Sequence, residues 1–241
     1  MIKFLFVFMG LSAFAQPTLS YLNPSKSILL DIPEPSDICV SANGNSLFIV
    51  SDDGGLYETD MEGKTLRSTT HDIIDAEGVF ADKDFIYLVE ERNRFVKLYS
   101  TKDFALVQTI SVPYEGGRNK SFESITQNAQ GDFLLFTEKE PVWMFELDNQ
   151  FRQKGRTKWE VQGDISAATF HNNALWLLSD ERAEIWLTDY VQKRIVKRYK
   201  LPVLNPEGLA FLPNGTLLIL SDDEHRLYFF NNINITTDEK K

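Results

Sequence analysis

The sequence predicts an all-β protein, a five-bladed β-propeller built from four-stranded antiparallel blades. Three observations carry that prediction. A short pattern recurs five times at near-constant spacing. Each recurrence is a set of short apolar runs separated by turn residues. The strand missing from the last repeat has a counterpart near the N-terminus.

The first half of the pattern is a residue pair leading an apolar run: Ser36-Asp37, Glu77-Gly78, Glu123-Ser124, Ser166-Ala167 and Glu207-Gly208. The second half ends an apolar strand in acid: Ser51-Asp52-Asp53, Val89-Glu90-Glu91, Thr137-Glu138-Lys139, Ser179-Asp180-Glu181 and Ser221-Asp222-Asp223. The leading residues are 41, 46, 43 and 41 positions apart. A period of this size made of short strands is a propeller signature.

In the last repeat, Leu209-Ala210-Phe211, Leu217 to Leu220 and Arg226 to Phe230 form three strands, with Pro213-Asn214-Gly215 turning the chain between the first two. Earlier repeats add a fourth strand at about Lys64 to Thr69, Ala105 to Val112 and Arg194 to Leu201. Central runs such as Phe133 to Phe136 and Leu175 to Leu178 are continuously apolar, as expected when both faces of a sheet pack on neighbouring blades. The last repeat turns polar at Asn231-Asn232. Lys26 to Ile32, ending at Pro33, resembles Arg194 to Leu201, ending at Pro202. This N-terminal strand is therefore expected to complete the last blade and close the ring, removing exposed sheet edges. A monomer is expected. The propeller spans residues 16–231, with 232–241 as a tail; Tyr114 to Lys120 is a longer polar connection that accounts for the 46-residue step.

Residues 1–15 read as an export signal, with Lys3, an apolar stretch from Phe4, and Ala13-Phe14-Ala15 as the small-x-small cleavage pattern before Gln16. Periplasmic or extracellular location is expected; the alternative is an uncleaved anchor at the plasma membrane. Cys39 is the only cysteine, so no disulfide can form within the chain. A net charge of -10 argues against nucleic acid, which is held through Lys and Arg on phosphates, and suits a cation or cationic ligand.

In an antiparallel blade, the leading pair and the closing acid lie at the same end. Glu77, Glu123 and Glu207 are therefore expected at the mouth of the central channel, with Ser36 and Ser166 in the equivalent places and Asp37 and Asp164 close by. A second ring is expected from Asp52, Glu90, Glu138, Asp180 and Asp222, with a one-residue shift possible wherever a strand bulges. Converging carboxylates repel unless a cation binds or their pKa values rise. Oxygen-only ligands favour Ca²⁺, with Mg²⁺ second. His71, His171 and His225 are scattered without zinc-site spacing. Arg92, Lys139 and Arg182 follow the second-ring acids and can meet an anionic group of a small-molecule or protein ligand on this face. Trp143, Trp159, Trp176 and Trp186 are assigned to packing between blades.

The segments Ala76-Glu77-Gly78, Val89-Glu90-Glu91-Arg92, Asn119-Lys120-Ser121-Phe122-Glu123-Ser124, Thr137-Glu138-Lys139, Asp164-Ile165-Ser166, Leu178-Ser179-Asp180-Glu181 and Pro206-Glu207-Gly208 together resemble the SdiA-regulated (YjiK/CarP-like) propeller family. The resemblance implies a five-bladed propeller with bound Ca²⁺, exported or attached to the inner membrane of a Gram-negative bacterium. It also implies distant similarity to calcium-dependent lactonases, esterases and phytase-like proteins. The chain departs at Ser124 and Ala167, where the family usually has Gly. Three functions follow as expectations: a calcium-binding propeller with a binding, sensing or homeostatic role; a metal-dependent hydrolase; or an interaction scaffold.

Overall fold

A computed structural model describes residues 17–117, 120–231 and 233. The expected signal segment, Asn119 and nearly all of the expected tail lie outside the described residues. Among the described residues no helix is long and apolar enough to cross a membrane.

Five sheets form the molecule. Blade one comprises β3 (Pro35–Val40), β4 (Leu47–Ser51), β5 (Gly55–Thr59) and β6 (Thr65–Thr69). Blade two comprises β7 (Ala76–Ala81), β8 (Phe85–Glu90), β9 (Phe95–Ser100) and β10 (Leu106–Ser111). Blade three comprises β11 (Phe122–Gln127), β12 (Phe133–Thr137), β13 (Trp143–Leu147) and β14 (Gln153–Lys158). Blade four comprises β15 (Ala167–His171), β16 (Ala174–Ser179), β17 (Glu184–Asp189) and β18 (Arg194–Lys200). Blade five comprises β19 (Pro206–Phe211), β20 (Leu217–Ser221), β21 (Arg226–Phe230) and, from the N-terminal end, β2 (Lys26–Leu29).

β2 pairs antiparallel with β21, with Lys26 opposite Phe229 and Leu29 opposite Arg226. The N-terminal strand thus occupies the position the last repeat leaves open, over a shorter span than Lys26 to Ile32. The lead-in before it forms one element that the sequence pattern does not signal: β1 (Thr18–Tyr21) adds to the outer edge of β18 as a parallel fifth strand.

The inner strands β3, β7, β11, β15 and β19 touch in cyclic order around the axis. Five apolar clusters fill the joins, each drawn from two neighbouring blades. β8 shows why its run is continuous. Ile86 and Leu88 pack toward blade one, while Tyr87 and Val89 pack toward blade three. Side chains alternate between faces, and both faces are interior. Trp159, Trp176 and Trp186 are buried in these joins; Trp143 is half-buried at the edge of another.

Candidate metal-binding mouth

Each inner strand starts at the same end of the channel, and four of the five start with a bulge. The pairing register shifts between Pro35 and Asp37, Ala76 and Gly78, Phe122 and Ser124, and Pro206 and Gly208. The bulged residues are Ser36, Glu77, Glu123 and Glu207, the leading residues of the repeat. In blade four, β15 pairs only from Ala167, and Ser166 donates its N–H to the Leu178 carbonyl at 3.1 Å. A bulge leaves one residue out of the ladder and re-aims its side chain. Here the bulges aim three Glu and Ser36 into one cavity, which the unbulged Ser166 also lines.

The residue after each bulge leans on the next inner strand. A Cβ on Gly78 would lie 3.0 Å from the Glu123 carbonyl oxygen, and one on Gly208 would lie 3.1 Å from the Ile38 nitrogen. This close approach accounts for glycine in Glu-Gly. The equivalent Ser124 is buried, with no partner for its Oγ among the described residues. Asp37 occupies the same position in blade one. It lies below the mouth, buried, and accepts the Val79 amide at 2.9 Å. It is therefore a contact between inner strands and does not line the mouth.

The mouth encloses about 200 Å³. Glu77, Glu123 and Glu207 line it with Ser36 and Ser166. Asp52, Glu138, Asp180 and Asp222 enter from the strand-end turns, and Asp164 and Glu34 from the loops ahead of the inner strands. Nine carboxylates and two hydroxyls thus converge, with no basic side chain among the lining residues.

Glu90 is not among them, and its place in the second ring is corrected. Its carboxylate is fully buried, paired with Lys97 Nζ at 2.8 Å, and accepts the Ile74 amide at 2.8 Å and Asn93 Nδ2 at 2.9 Å. Register gives the reason. Glu90 is opposite Ala76 as Ser51 is opposite Pro35, Thr137 opposite Phe122 and Ser221 opposite Pro206. Ser51 and Ser221 donate their hydroxyls to the Pro33 and Leu204 carbonyls. Glu90 ties down the corresponding loop with the polarity reversed. The true counterpart of Asp52, Glu138 and Asp222 is Glu91. All four donate their backbone N–H to the residue two before the bulge, namely Asp75 for Glu91, Glu34 for Asp52, Ser121 for Glu138 and Asn205 for Asp222. The Glu91 carboxylate then accepts the Ser121 amide of blade three at 2.9 Å.

That position two before the bulge is the part of the site sequence reasoning missed. It holds Glu34, Asp75, Ser121, Asp164 and Asn205, of which only Asp164 is expected from the pattern. Glu34, Asp75 and Asn205 adopt left-handed φ values of 38°, 57° and 42°, a region favouring short polar residues outside glycine. Asp75 is buried and accepts the Arg92 amide at 2.8 Å, while its other oxygen meets the Arg92 guanidinium at 3.1 Å.

Asp52, Asp75 and Glu77 each present one oxygen within 4.8 Å of the others. The electrostatics agree with a cation. Burial first, then Asp52, Asp75 and Glu91, push Glu77 up to about 8, with Arg92 opposing. Burial and its partner Asp164 raise Asp180 to about 7. Glu123 and Glu207 are held well above the ordinary carboxylate range, by burial and then by surrounding acids. Asp52 and Asp222 are raised for the same reasons. Asp222 Oδ1 is buried with no hydrogen-bond donor among the described residues. Such an orphan acceptor costs about 1–3 kcal/mol unless something supplies positive charge. The donor set fits a hard divalent cation.

The family model for "SdiA-regulated" proteins matches residues 33–231, covering every blade except for the strand β2. The chain belongs to the SdiA-regulated family. No curated protein sequence matches it. Among solved structures, it is similar to glutaminyl cyclase from Myxococcus xanthus, with a TM-score of 0.73 at 13% identity over 89% of this chain and 97% of that one. It is also similar to a streptogramin B lyase, with a TM-score of 0.53 at 12% identity over 86% of this chain and 96% of that one. At these identities the likeness is one of fold. This SdiA-regulated protein is a propeller with an acidic cluster able to hold a metal ion.

Proposed function

We propose that this family member is an exported calcium-binding propeller whose acidic mouth takes up Ca²⁺ in a sensing, binding or homeostatic role. The observation that carries the reading is the triad of Asp52, Asp75 and Glu77, two of which, Asp52 and Glu77, line a mouth of nine converging carboxylates. An all-oxygen donor set selects hard cations, Ca²⁺ and Mg²⁺ among them. The flexible coordination of Ca²⁺ tolerates ligands from two blades, whereas Mg²⁺ demands near-ideal octahedral geometry. The wider ring gives further oxygens and draws cations toward the mouth. Export rests on Lys3, the apolar stretch and Ala13-Phe14-Ala15. N-terminal sequencing of protein recovered from the periplasm checks it, with Gln16 as the expected first residue.

Calorimetric titration of metal-free protein with Ca²⁺ and Mg²⁺ tests the reading. Ca²⁺ is expected to bind more tightly. Asp75→Asn and Glu77→Gln are each expected to weaken Ca²⁺ by at least about tenfold, a loss of about 1.4 kcal/mol. Glu207→Gln, which lines the mouth but is outside the triad, is expected to have a smaller effect. Equal binding by the wild-type protein and both triad variants would end the proposal.

A further inference from the structure

A second cavity lies on the outer flank of the join between blades two and three, and its chemistry is opposite to that of the mouth. It encloses about 650 Å³, within the range of about 300–1,000 Å³ usual for small-molecule sites. Three arginines line it, Arg92, Arg94 and Arg156, against one carboxylate, Glu115. In a chain of net charge -10 this is a local reversal of sign.

The three arginines are held differently. Arg94 is part of the frame. Its guanidinium donates to the Tyr114 and Gly116 carbonyls and lies 5.5 Å from the Tyr114 ring centre, fixing the connection after β10 as one wall. Its Nε is buried and has no acceptor among the described residues. Arg92 stands at the end of the cavity nearest the mouth, half engaged with Asp75 and 56% exposed. The Arg156 guanidinium lies over aromatic surface, 4.4 Å from the Trp143 ring centre and 5.7 Å from that of Phe145. No hydrogen bond or ion pair engages Arg156 among the described residues. Stacking orients a guanidinium while leaving its in-plane N–H donors free, the geometry that grips carboxylate or phosphate through two parallel hydrogen bonds. Behind these groups Phe145 and Tyr114 form an apolar layer, their rings 5.7 Å apart and edge-on.

We infer that this cavity is a binding site for a small organic anion, a carboxylate or phosphate monoester carrying a flat apolar part. The anionic group would meet Arg156 with Arg92, and the apolar part would lie along Tyr114 and Pro113. Gln153 on β14 adds a polar side chain to the wall. Arg92 is shared with Asp75 of the cation triad, whereas the Arg156 guanidinium makes no ion pair with the mouth acids among the described residues.

The test is calorimetry on the full protein in excess chelator, so that the outcome is separate from that of the calcium proposal. The probes are phenyl phosphate, benzoate and inorganic phosphate. Phenyl phosphate or benzoate is expected to bind at least about tenfold more tightly than inorganic phosphate. Arg156→Gln is expected to weaken that binding by at least about tenfold with an unchanged melting transition, since the side chain is exposed. Arg156→Lys keeps the charge but loses the planar fork, and is expected to recover only part of the affinity; it also serves if the Gln variant folds poorly. No binding of any probe up to about 10 mM, equal binding by the wild-type protein and Arg156→Gln, or inorganic phosphate bound as tightly as the organic probes would each overturn the inference.

Discussion

The Asp37 carboxylate accepts the Val79 amide at 2.9 Å, joining the inner strand of the first blade to that of the second. It does so while buried, and burial raises its pKa well above the ordinary value against the pull of the Val79, Ile38 and Leu209 amides. The acceptor is needed but the charge is not. Asp37→Asn is therefore expected to melt at or above the wild-type temperature at pH 7, because an amide oxygen can replace the carboxylate. Asp37→Ala leaves the Val79 N–H without its acceptor and is expected to lose about 1–3 kcal/mol. The sign with pH is fixed. A carboxyl raised on folding contributes most below its unfolded value, about 3.9, and loses that contribution as pH rises through the folded value. The advantage of Asn over Asp should grow with pH in thermal melts; a gap that shrinks would contradict this account.

The mouth makes a second pH prediction. Glu77 is pushed up to about 8 and Asp180 to about 7, chiefly by burial and then by neighbouring acids. Their unfolded values are about 4.3 and 3.9. Between these limits the folded chain holds protons that the unfolded chain has released. Metal-free protein should thus lose stability as pH rises from about 5 to about 8.5. Calcium at about one hundred times its Kd should return about 2.7 kcal/mol, or about 5–10 °C for a domain of this size. Scanning calorimetry across the pH range, with chelator and with Ca²⁺, checks both arms. A metal-free melting temperature that climbs with pH would count against the mouth acids as the source.

Much of this was legible in the chain. The period and the apolar runs defined the blades, and the match between Lys26–Ile32 and Arg194–Leu201 located the N-terminal strand β2. The inner acids were legible because a leading residue recurs at one place per blade, bulged in four of the five. What was not legible depended on parity and reach. Glu90 and Glu91 are both acids at a strand end, and only register separates the one that faces Lys97 from the one that faces blade three. Glu34 and Asp75 sit in loops ahead of the strands, in left-handed backbone that no hydrophobic period marks. β1 is short and mostly exposed, so its pattern carries little signal.

The difference between Glu90 and Glu91 can be measured. Removing one partner from a buried ion pair leaves the other uncompensated and costs about 3–5 kcal/mol. Lys97→Met alone is expected to destabilise blade two by that order, and Glu90→Gln by less, since an amide can still meet Ile74 or Asn93. The double variant Glu90→Gln/Lys97→Met should recover much of the Lys97→Met loss, and none of the three should change Ca²⁺ affinity. Glu91→Gln should do the reverse, with a small change in melting temperature and weaker Ca²⁺ binding. Loss of calcium binding in a folded Glu90→Gln variant would place Glu90 back among the mouth acids.

The two N-terminal strands should also separate in truncations. β1 has Leu19 43% and Tyr21 75% exposed, and it adds to a sheet that already has four strands. β2 is the fourth strand of blade five, and the residues after it, Leu30 and Ile32, are 4% and 1% exposed in the join between blades five and one. The Ile32 carbonyl also meets the His225 ring at 3.1 Å. Each buried side chain is worth about 1.5–3 kcal/mol, against a total stability of about 5–15 kcal/mol. Starting the chain at residue 23 should therefore leave a soluble protein that melts within a few degrees of the longer form. Starting it at residue 33 removes β2, Leu30 and Ile32 together and bares β21 as an open sheet edge, which invites association with other chains. Chromatography and thermal melts of the two truncations should show a monomeric, cooperative first form and an aggregated or unfolded second one. Equal behaviour of the two would mean that β2 contributes no more than β1.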